Sequence, residues 1–168
     1  HANQAHFFFD PAELPQIVDL LRSRLPEEAA ATIEEANQIC GHRFNLLGYR
    51  DLRYGADIDW HLDPVHKKRA PRRPWFKVPY LRFDVVGDHK VVWELSRHQH
   101  LVTLAKAFCL TREQRFAEEL VAQWRHWQRQ NPYPIGINWA SSLEVAFRSL
   151  SWLWVRHLLA GSPGVPEG

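Results

Sequence analysis

The stretch that decides how this chain is interpreted is Gly136-Ile137-Asn138-Trp139-Ala140-Ser141-Ser142-Leu143-Glu144-Val145-Ala146-Phe147-Arg148. Ser141 followed by Glu144 is the capping-box pattern of a helix N-terminus, and apolar residues then recur at helical spacing. Asn138 and Trp139 stand just before this helix, where an amide and an indole could meet a polar, sugar-like ligand. The alternative is structural: Trp139 is a helix staple, and Glu144 and Arg148, four residues apart, form a local ion pair.

Helical patterns extend outward from this stretch in the N-terminal direction. Two further capping boxes, Ser96 with Gln99 and Thr111 with Gln114, predict two more helices. Near the N-terminus, a start at Asp10-Pro11-Ala12-Glu13 and a second at Pro26, ending at Gly41, predict a helical pair. We therefore expect an all-α fold of antiparallel helix pairs.

Between Arg43 and Trp93 the helical periodicity disappears for about fifty residues. Such a length is unusual for a connection, so the segment is either a functional loop region or contains undetected strands. The stretch from Val85 to Val92 has β-branched pairs flanking Gly87-Asp88, which favours a small hairpin. The prediction is a long irregular segment between the helices.

Composition limits the classes of protein that are possible. The chain has 168 residues, 45% of them hydrophobic and 24% charged, which suits one globular domain. No apolar run approaches the roughly 20 residues that span a bilayer, and the formal net charge of +2 predicts no strong attraction to nucleic acid or membrane. Two cysteines do not form a disulfide framework. Because the chain contains no methionine, we expect it to be a piece of a longer protein, with Gly161 to Gly168 as a linker.

A second polar group occupies the segment from Trp93 to His100, which we predict to lie at a helix N-terminus. Arg97 and such a terminus would favour an acidic ligand. The alternative is that Ser96 caps the helix, Glu94 and Arg97 pair locally, and the histidines satisfy core hydrogen bonds. His98 and His100 are two residues apart and point in different directions on a helix, so we predict no metal site.

The third group is the basic run from Lys67 to Arg73, which holds five positive charges in seven positions. It could bind phosphate, sulfate or carboxylate groups, or it could be a solvated loop paired with the acidic segment Asp57 to Asp63. No glycine-rich phosphate loop, Gly-x-Ser-x-Gly elbow or Cys-x-x-Cys pair occurs. We therefore predict no cofactor.

Together these segments resemble the N-terminal helical region of the heparinase II/III family of polysaccharide lyases. The resemblance rests on Phe44 to Tyr54, Asp59-Trp60-His61, Trp93 to Leu101, and the run Gly136-Ile137-Asn138-Trp139 with Ser142, Glu144 and Arg148. It implies that residues 1–160 form part of an incomplete α/α toroid around a cleft. It also implies a following β-sandwich domain that this chain does not contain.

The resemblance further implies cleavage of an acidic polysaccharide by β-elimination. A base removes the proton beside a uronate carboxylate whose charge must be neutralised, and the glycosidic oxygen leaves. The family's Asn or His neutraliser and its Tyr base are expected beyond Gly168, so the catalytic residues remain unknown, with Asn138 a lower-ranked neutraliser. This chain alone is then predicted to be inactive. Its predicted substrate-binding residues are Trp93, Arg97, His98, Asn138, Trp139, Glu144 and Arg148.

Two other functions stay open at this point. The same fold could serve as a non-catalytic carbohydrate-binding or scaffold module. A helical nucleic-acid or protein-interaction domain acting through Lys67 to Arg73 is the third, although the small net charge and the absence of interleaved aromatics in that run disfavour it. The sequence leaves the location open, and a periplasmic or secreted one follows from the resemblance alone.

Overall fold

The computed structural model describes residues 7–160, which are mostly helical. The predicted linker at 161–168 lies outside the described residues. Seven α-helices occur in the described range: α1 Leu14–Arg24, α2 Pro26–Cys40, α3 Phe83–Val86, α4 His89–Ser96, α5 Gln99–Thr111, α6 Gln114–Gln130 and α7 Ser142–Leu159.

Helix α5 is the centre of the fold. It packs against α2, α6 and α7, and its side chains from Leu101 to Leu110 are largely buried. A smaller second core lies under the other end of the molecule and includes Val86, Val92 and Ile137. Helix α4 contributes side chains to both apolar cores and so connects them.

The predicted N-terminal helical pair is confirmed. Asp10 forms the capping box with Glu13 on a 3-10 turn that leads into α1. Pro26 opens α2, which ends before Gly41. Proline at the first helical position lacks only an amide hydrogen that would have no intrahelical partner there, so both starts follow from the sequence.

The segment between α2 and α3 contains strands that the all-α prediction left out. β1 (Arg43–Leu46) pairs antiparallel with β2 (Tyr49–Arg53), and the two-residue strands β3 (Leu62–Asp63) and β4 (Lys68–Arg69) form a second ribbon. β1 does alternate, with Phe44 and Leu46 buried between polar residues, but over only four residues, and the other three strands are mostly polar without alternation. Such a short pattern does not identify a strand reliably from the sequence. The mostly helical fold is thus confirmed, and the irregular segment is corrected to two small ribbons with turns.

The predicted hairpin at Val85 to Val92 is wrong, because this segment belongs to α3 and α4. Gly87 separates the two helices with φ of 74°, and Asp88 caps α4 by accepting a hydrogen bond from the backbone of Lys90 at 2.9 Å. The buried carboxylate of Asp63 also accepts a 2.7 Å hydrogen bond from the backbone of Asp88. This tertiary contact fixes the chain where local propensity favours a turn between strands.

The three helices predicted from capping boxes exist, but the side-chain caps do not form. Ser96 is the last residue of α4, and its hydroxyl accepts a 3.2 Å hydrogen bond from the indole of Trp127. Thr111 is the last residue of α5, and its hydroxyl donates to the carbonyl of Ala107. Ser141 stands at the N-cap position of α7 without a side-chain bond to it. Tertiary partners have replaced the local ones at Ser96.

The described helices include none that is long and apolar enough to cross a membrane.

Candidate functional site

The candidate site is built where two distant segments of the chain pair. The backbone of Trp75 donates to the carbonyl of Pro134 at 2.9 Å, and the backbone of Gly136 donates to the carbonyl of Arg73 at 2.8 Å. These bonds form an antiparallel bridge between Pro74 and Ile135. The end of the basic run is therefore held beside the Asn138–Trp139 turn.

The helical turn Ile137–Trp139 leads into α7. Gly136, just before this turn, allows the main chain to lie close to the ring of His61. Gly136 has φ of 101°, in the region that favours glycine, and a Cβ there would lie 2.5 Å from Cε1 of His61. The buried ring of His61 therefore packs directly on the glycine backbone.

Arg97 and Glu144 form an ion pair that links the α4–α5 connection to α7. The Nε and Nη2 atoms of Arg97 lie 2.7 Å and 3.0 Å from the two carboxylate oxygens of Glu144. Arg97 also binds Glu94, as the local alternative predicted, and its guanidinium lies over the ring of Phe147. Hydrogen bonding to Glu144 raises the pKa of Arg97, so the guanidinium is charged at any physiological pH.

Arg148 is enclosed in the core and forms no ion pair with a described residue, so the predicted Glu144–Arg148 pair is wrong. Its guanidinium donates to the carbonyls of Ser96 at 2.8 Å and Asn138 at 2.9 Å, and stacks 4.3 Å from the centre of the Trp127 ring. Burial lowers the pKa of Arg148 to about 10. The charge is held by backbone dipoles and an aromatic face instead of a carboxylate.

Asn138 is fully buried and acts as a cross-link. Its Nδ2 donates to the carbonyl of Trp60 at 3.0 Å and to Oδ1 of Asn131 at 2.9 Å. Asn131 in turn donates to the carbonyl of Trp127 and accepts at its own carbonyl from the indole of Trp139. Both hydrogens of the Asn138 amide are thus committed to protein acceptors.

His98 and Trp93 complete the predicted set from inside the core. His98 lies in the connection between α4 and α5 with φ of 63°, and its Nδ1 accepts a 2.9 Å hydrogen bond from the indole of Trp152. Burial holds the pKa of His98 well below its usual value. The indole of Trp93 donates to the carbonyl of Ile137 at 3.0 Å. The predicted helix N-terminus within Trp93 to His100 is present, but it lies at Gln99, where α5 begins with His98 as N-cap, and Trp93 to Ser96 form the end of α4.

Exposure divides the predicted substrate-binding residues into two groups. Arg97 and Trp139 are half-buried and keep some surface in solvent. The other five are buried, with exposed fractions from 0% to 9%: Trp93, His98, Asn138, Glu144 and Arg148. Six of the seven side chains therefore lie around Arg148 and α7, and the seventh, Trp93, is bound to the adjoining turn. The five buried side chains lie under the surface. Their contact with a sugar stays a prediction.

The basic run is partly neutralised, as one alternative predicted. Arg69 pairs with Asp59 at 2.6 Å, and Arg72 donates to the backbone carbonyl of Gln130 at 3.2 Å. The remaining cations of this surface form no ion pair with a described residue and are exposed: Lys67, Lys68, Arg73 and Lys77.

Tyr133 and Phe76 are surface residues that the sequence interpretation did not single out. The ring of Tyr133 is 73% exposed and lies edge-on to Trp139, with 5.4 Å between ring centres. Phe76 is 63% exposed and follows the bridged residues of the other segment. The flanking prolines in Pro132-Tyr133-Pro134 could have indicated a rigid segment with an exposed aromatic side chain. Nothing in the sequence indicates that this segment lies beside residue 76.

Within residues 7–160, no group of three or more His, Cys, Asp or Glu side chains is arranged to hold a metal ion.

Comparison with known proteins identifies the family of the chain. Residues 20–157 match the family model described as Heparinase II/III N-terminus. The chain belongs to this family. It is 25% identical over 122 residues to a heparin-sulfate lyase of Pedobacter heparinus and 27% identical over 90 residues to a heparin-sulfate lyase of Bacteroides stercoris.

A solved structure is similar as well. The crystal structure of a heparan sulfate lyase HepC mutant from Pedobacter heparinus superimposes with a TM-score of 0.61 and 27% identity over 79% of this chain. The matches cover 73% and 53% of this chain for the two lyases, but only 14% and 10% of those proteins and 18% of the solved chain. The chain thus spans less than a fifth of the length of these relatives.

Proposed function

We propose that this chain is the N-terminal part of a polysaccharide lyase that cleaves a uronate-containing acidic polysaccharide by β-elimination. The observation that carries the proposal is the family match over residues 20–157, which includes the whole interlocked cluster around Arg148. The cluster contributes the wall and substrate subsites of a cleft, and the groups that break the bond belong to the rest of the parent protein.

The chemistry of β-elimination supports this division. The reaction needs a base beside the sugar proton and a donor that neutralises the uronate carboxylate. Tyr54 is buried, and burial raises its pKa, which makes it a poor base. The amide hydrogens of Asn138 are both used within the protein, which argues against Asn138 as neutraliser. We therefore propose that the isolated chain is inactive.

The same division applies to the predicted substrate-binding residues. Trp139 and Arg97 retain solvent-facing surface and are proposed to contact the sugar chain, by stacking and by a charge-assisted bond respectively. The buried residues are proposed to position them. Arg148 supports this role, because its guanidinium carbon lies 5.3 Å from the centre of the Trp139 ring.

An exposed apolar face on α7 supports continuation of the fold into an α/α toroid. Leu143, Leu150 and Leu153 are each more than half exposed and recur at spacings of seven and three residues. Such a stripe is typical of a helix face that packs on another helix. We propose that a further helix of the parent chain covers it, and that a β-sandwich domain follows.

A second candidate, a non-catalytic carbohydrate-binding or scaffold module, is favoured by one observation. Most donors of the cluster bond acceptors within the protein, which suits a rigid support, while the buried Nη1 of Arg148 and Oδ1 of Asn138 have no hydrogen-bond partner among the described residues. Sugar binding by the full-length protein without any bond cleavage would select this candidate.

The experiment that tests the lyase proposal is an assay of the full-length protein on heparan sulfate and other uronate polymers. β-Elimination leaves an unsaturated uronate at the new end, so product formation is followed by its ultraviolet absorbance. We expect absorbance to rise with at least one polymer, and to stay flat when the 168-residue chain is used alone. Absence of product from the full-length protein on every uronate polymer would overturn the proposal, and turnover by the 168-residue chain would overturn its division of roles.

A further inference from the structure

The paired segments next to Trp139 present a mostly exposed strip, which we define as residues 72–77 together with Tyr133; Pro74 and Trp75 within it are half-buried. The bridge between Pro74 and Ile135 holds the two parts side by side through main-chain hydrogen bonds of 2.8 Å and 2.9 Å. On each segment one aromatic side chain adjoins the bonded residues: Phe76 follows Trp75, and Tyr133 precedes Pro134. The exposed aromatics are therefore fixed by main-chain pairing and do not rest on a free loop.

Positive charge lies in the same strip. Arg73 and Lys77 are exposed and form no ion pair with a described residue, while Arg72 uses part of its guanidinium to hold the carbonyl of Gln130. Asp59, the carboxylate bound to the basic run, is engaged with Arg69. The strip therefore keeps unpaired cations within a few residues of two exposed rings.

The rings suit a sugar better than they suit a protein core. Phe76 and Tyr133 are 63% and 73% exposed, and the ring of Tyr133 is perpendicular to that of Trp139, with 5.4 Å between ring centres. Aromatic faces stack on the apolar faces of sugar rings, and guanidinium and ammonium groups bind carboxylate and sulfate. Both features in one strip match a polymer that carries apolar ring faces and negative charges in alternation.

A cleft that adjoins Glu94 and His100 lacks this chemistry. This cleft of about 210 Å³ beside α5 is lined by the carboxylates of Glu35 and Glu94, and its one guanidinium, that of Arg43, lies 2.5 Å from the carboxylate of Asp51. Its carboxylates would repel an anionic polymer.

We propose that this exposed strip is a substrate-holding surface for the acidic polysaccharide, contiguous with Trp139 and outside the buried cluster. The inference rests on the proposed function and adds a second place where the polymer is held. Arg73 and Lys77 bind its anionic groups, and Phe76 and Tyr133 stack on its rings.

The test measures the affinity of the full-length protein for heparan sulfate by calorimetry across a series of salt concentrations. We expect Arg73→Ala with Lys77→Ala to weaken binding about tenfold at low salt and to flatten the salt dependence, because two screened charge contacts are lost. Phe76→Ala with Tyr133→Ala should weaken binding about fivefold and leave the salt dependence unchanged. Arg50→Ala with Lys106→Ala removes two exposed cations on β2 and α5 and is the matched control, with affinity expected to stay within twofold.

Three outcomes would overturn the inference. Wild-type affinity in both strip variants would show that the polymer does not touch the strip. An equal loss in the control pair would show a general charge effect. Binding of double-stranded DNA or polyglutamate as tight as that of heparan sulfate, with the same sensitivity to Arg73 and Lys77, would reassign the strip to polyanions in general. Because turnover would consume heparan sulfate during a titration, the series is repeated with dextran sulfate, a sulfated glucan without uronate that β-elimination cannot cleave. Loss of binding is thereby distinguished from loss of cleavage, which the absorbance assay decides.

Discussion

The cluster around Arg148 and the exposed strip at residues 72–77 use the same side-chain type in opposite ways. Arg148 is 1% exposed, and its Nε and Nη2 atoms donate to two backbone carbonyls while its Nη1 has no partner among the described residues. Arg73, in contrast, is exposed and bound to no carboxylate among the described residues. A buried guanidinium must be satisfied internally or it destabilises the fold, while an exposed one is free to meet an anion. The same side-chain type therefore supports the fold where it is enclosed and is available to a ligand where it is exposed.

The largest expected effect is on stability and comes from the buried side. Arg148→Ala leaves the carbonyls of Ser96 and Asn138 without donors and opens a cavity beside Trp127, so we expect a loss of about 3–5 kcal/mol in the free energy of unfolding. Urea unfolding followed by tryptophan fluorescence measures it. Arg156→Ala, at an exposed position of the same helix, is the control and should change stability by less than about 0.5 kcal/mol. Equal effects of the two substitutions would contradict the framework role.

A second prediction concerns Gly136, where the two regions meet. Gly136→Ala places a methyl group 2.5 Å from the ring of His61 at a φ of 101°, and we expect a loss of about 2–4 kcal/mol. Gly48→Ala is a close control, because its φ is 87° and no atom lies within 4 Å of the added Cβ. Thermal unfolding of the two variants separates backbone strain, which both share, from the collision, which only Gly136 has. A Gly136 variant no less stable than the Gly48 variant would mean that His61 moves aside freely.

The helices could be predicted from the sequence, and the reason is local. Pro26, Gly41 and the apolar spacing of α5, α6 and α7 act within a few residues, so their signals survive without tertiary information. The segment Val85 to Val92 could not be predicted in this way. Its helices depend on the carboxylate of Asp63, which is 25 residues away from the backbone amide that it binds.

The site was predictable as a set of residues but not as a surface. The sequence singled out Asn138, Arg148 and Trp139, and the structure joins them through hydrogen bonds and stacking. Which of them would be buried depends on the bridge between Pro74 and Ile135 and on the packing of Trp127, and neither leaves a local pattern. The sequence therefore indicated residues that the structure brings together, but it gave no measure of their exposure, and their contact with a substrate stays a prediction.

A third prediction uses pH to probe the buried side. Burial lowers the pKa of His61, of His98 and, to about 3, of His100. Below about pH 6.5 these histidines bind protons in the unfolded chain but stay neutral in the folded chain. Their contribution to the free energy of unfolding is therefore fully present above that pH. It falls as the pH decreases, by up to about 1.4 kcal/mol per pH unit and group. His42 acts oppositely, because its hydrogen bond to Glu119 raises its pKa and its contribution is lost as the pH rises through that value.

Urea unfolding at pH 7, 6 and 5 measures this dependence. Three histidines with lowered pKa values oppose one with a raised value, so we expect the free energy of unfolding to decrease toward pH 5. His100→Phe removes one of the three groups and keeps an aromatic ring beside Phe44, and it should reduce the slope. A slope identical in the wild type and this variant would show that His100 is protonated in the folded chain.

We expect the smallest effect on stability from substitutions in the exposed strip, in contrast to the large effect expected at Arg148. Arg73→Ala with Lys77→Ala removes two charges that make no ion pair with a described residue, so we expect the free energy of unfolding to change by less than about 0.5 kcal/mol. The same urea experiment measures it. A loss above 1 kcal/mol would mean that these side chains support the fold, and weaker sugar binding in that variant could no longer be attributed to contact with the polymer. Unchanged stability together with weakened binding would show that Arg73 and Lys77 hold the polymer and do not support the fold.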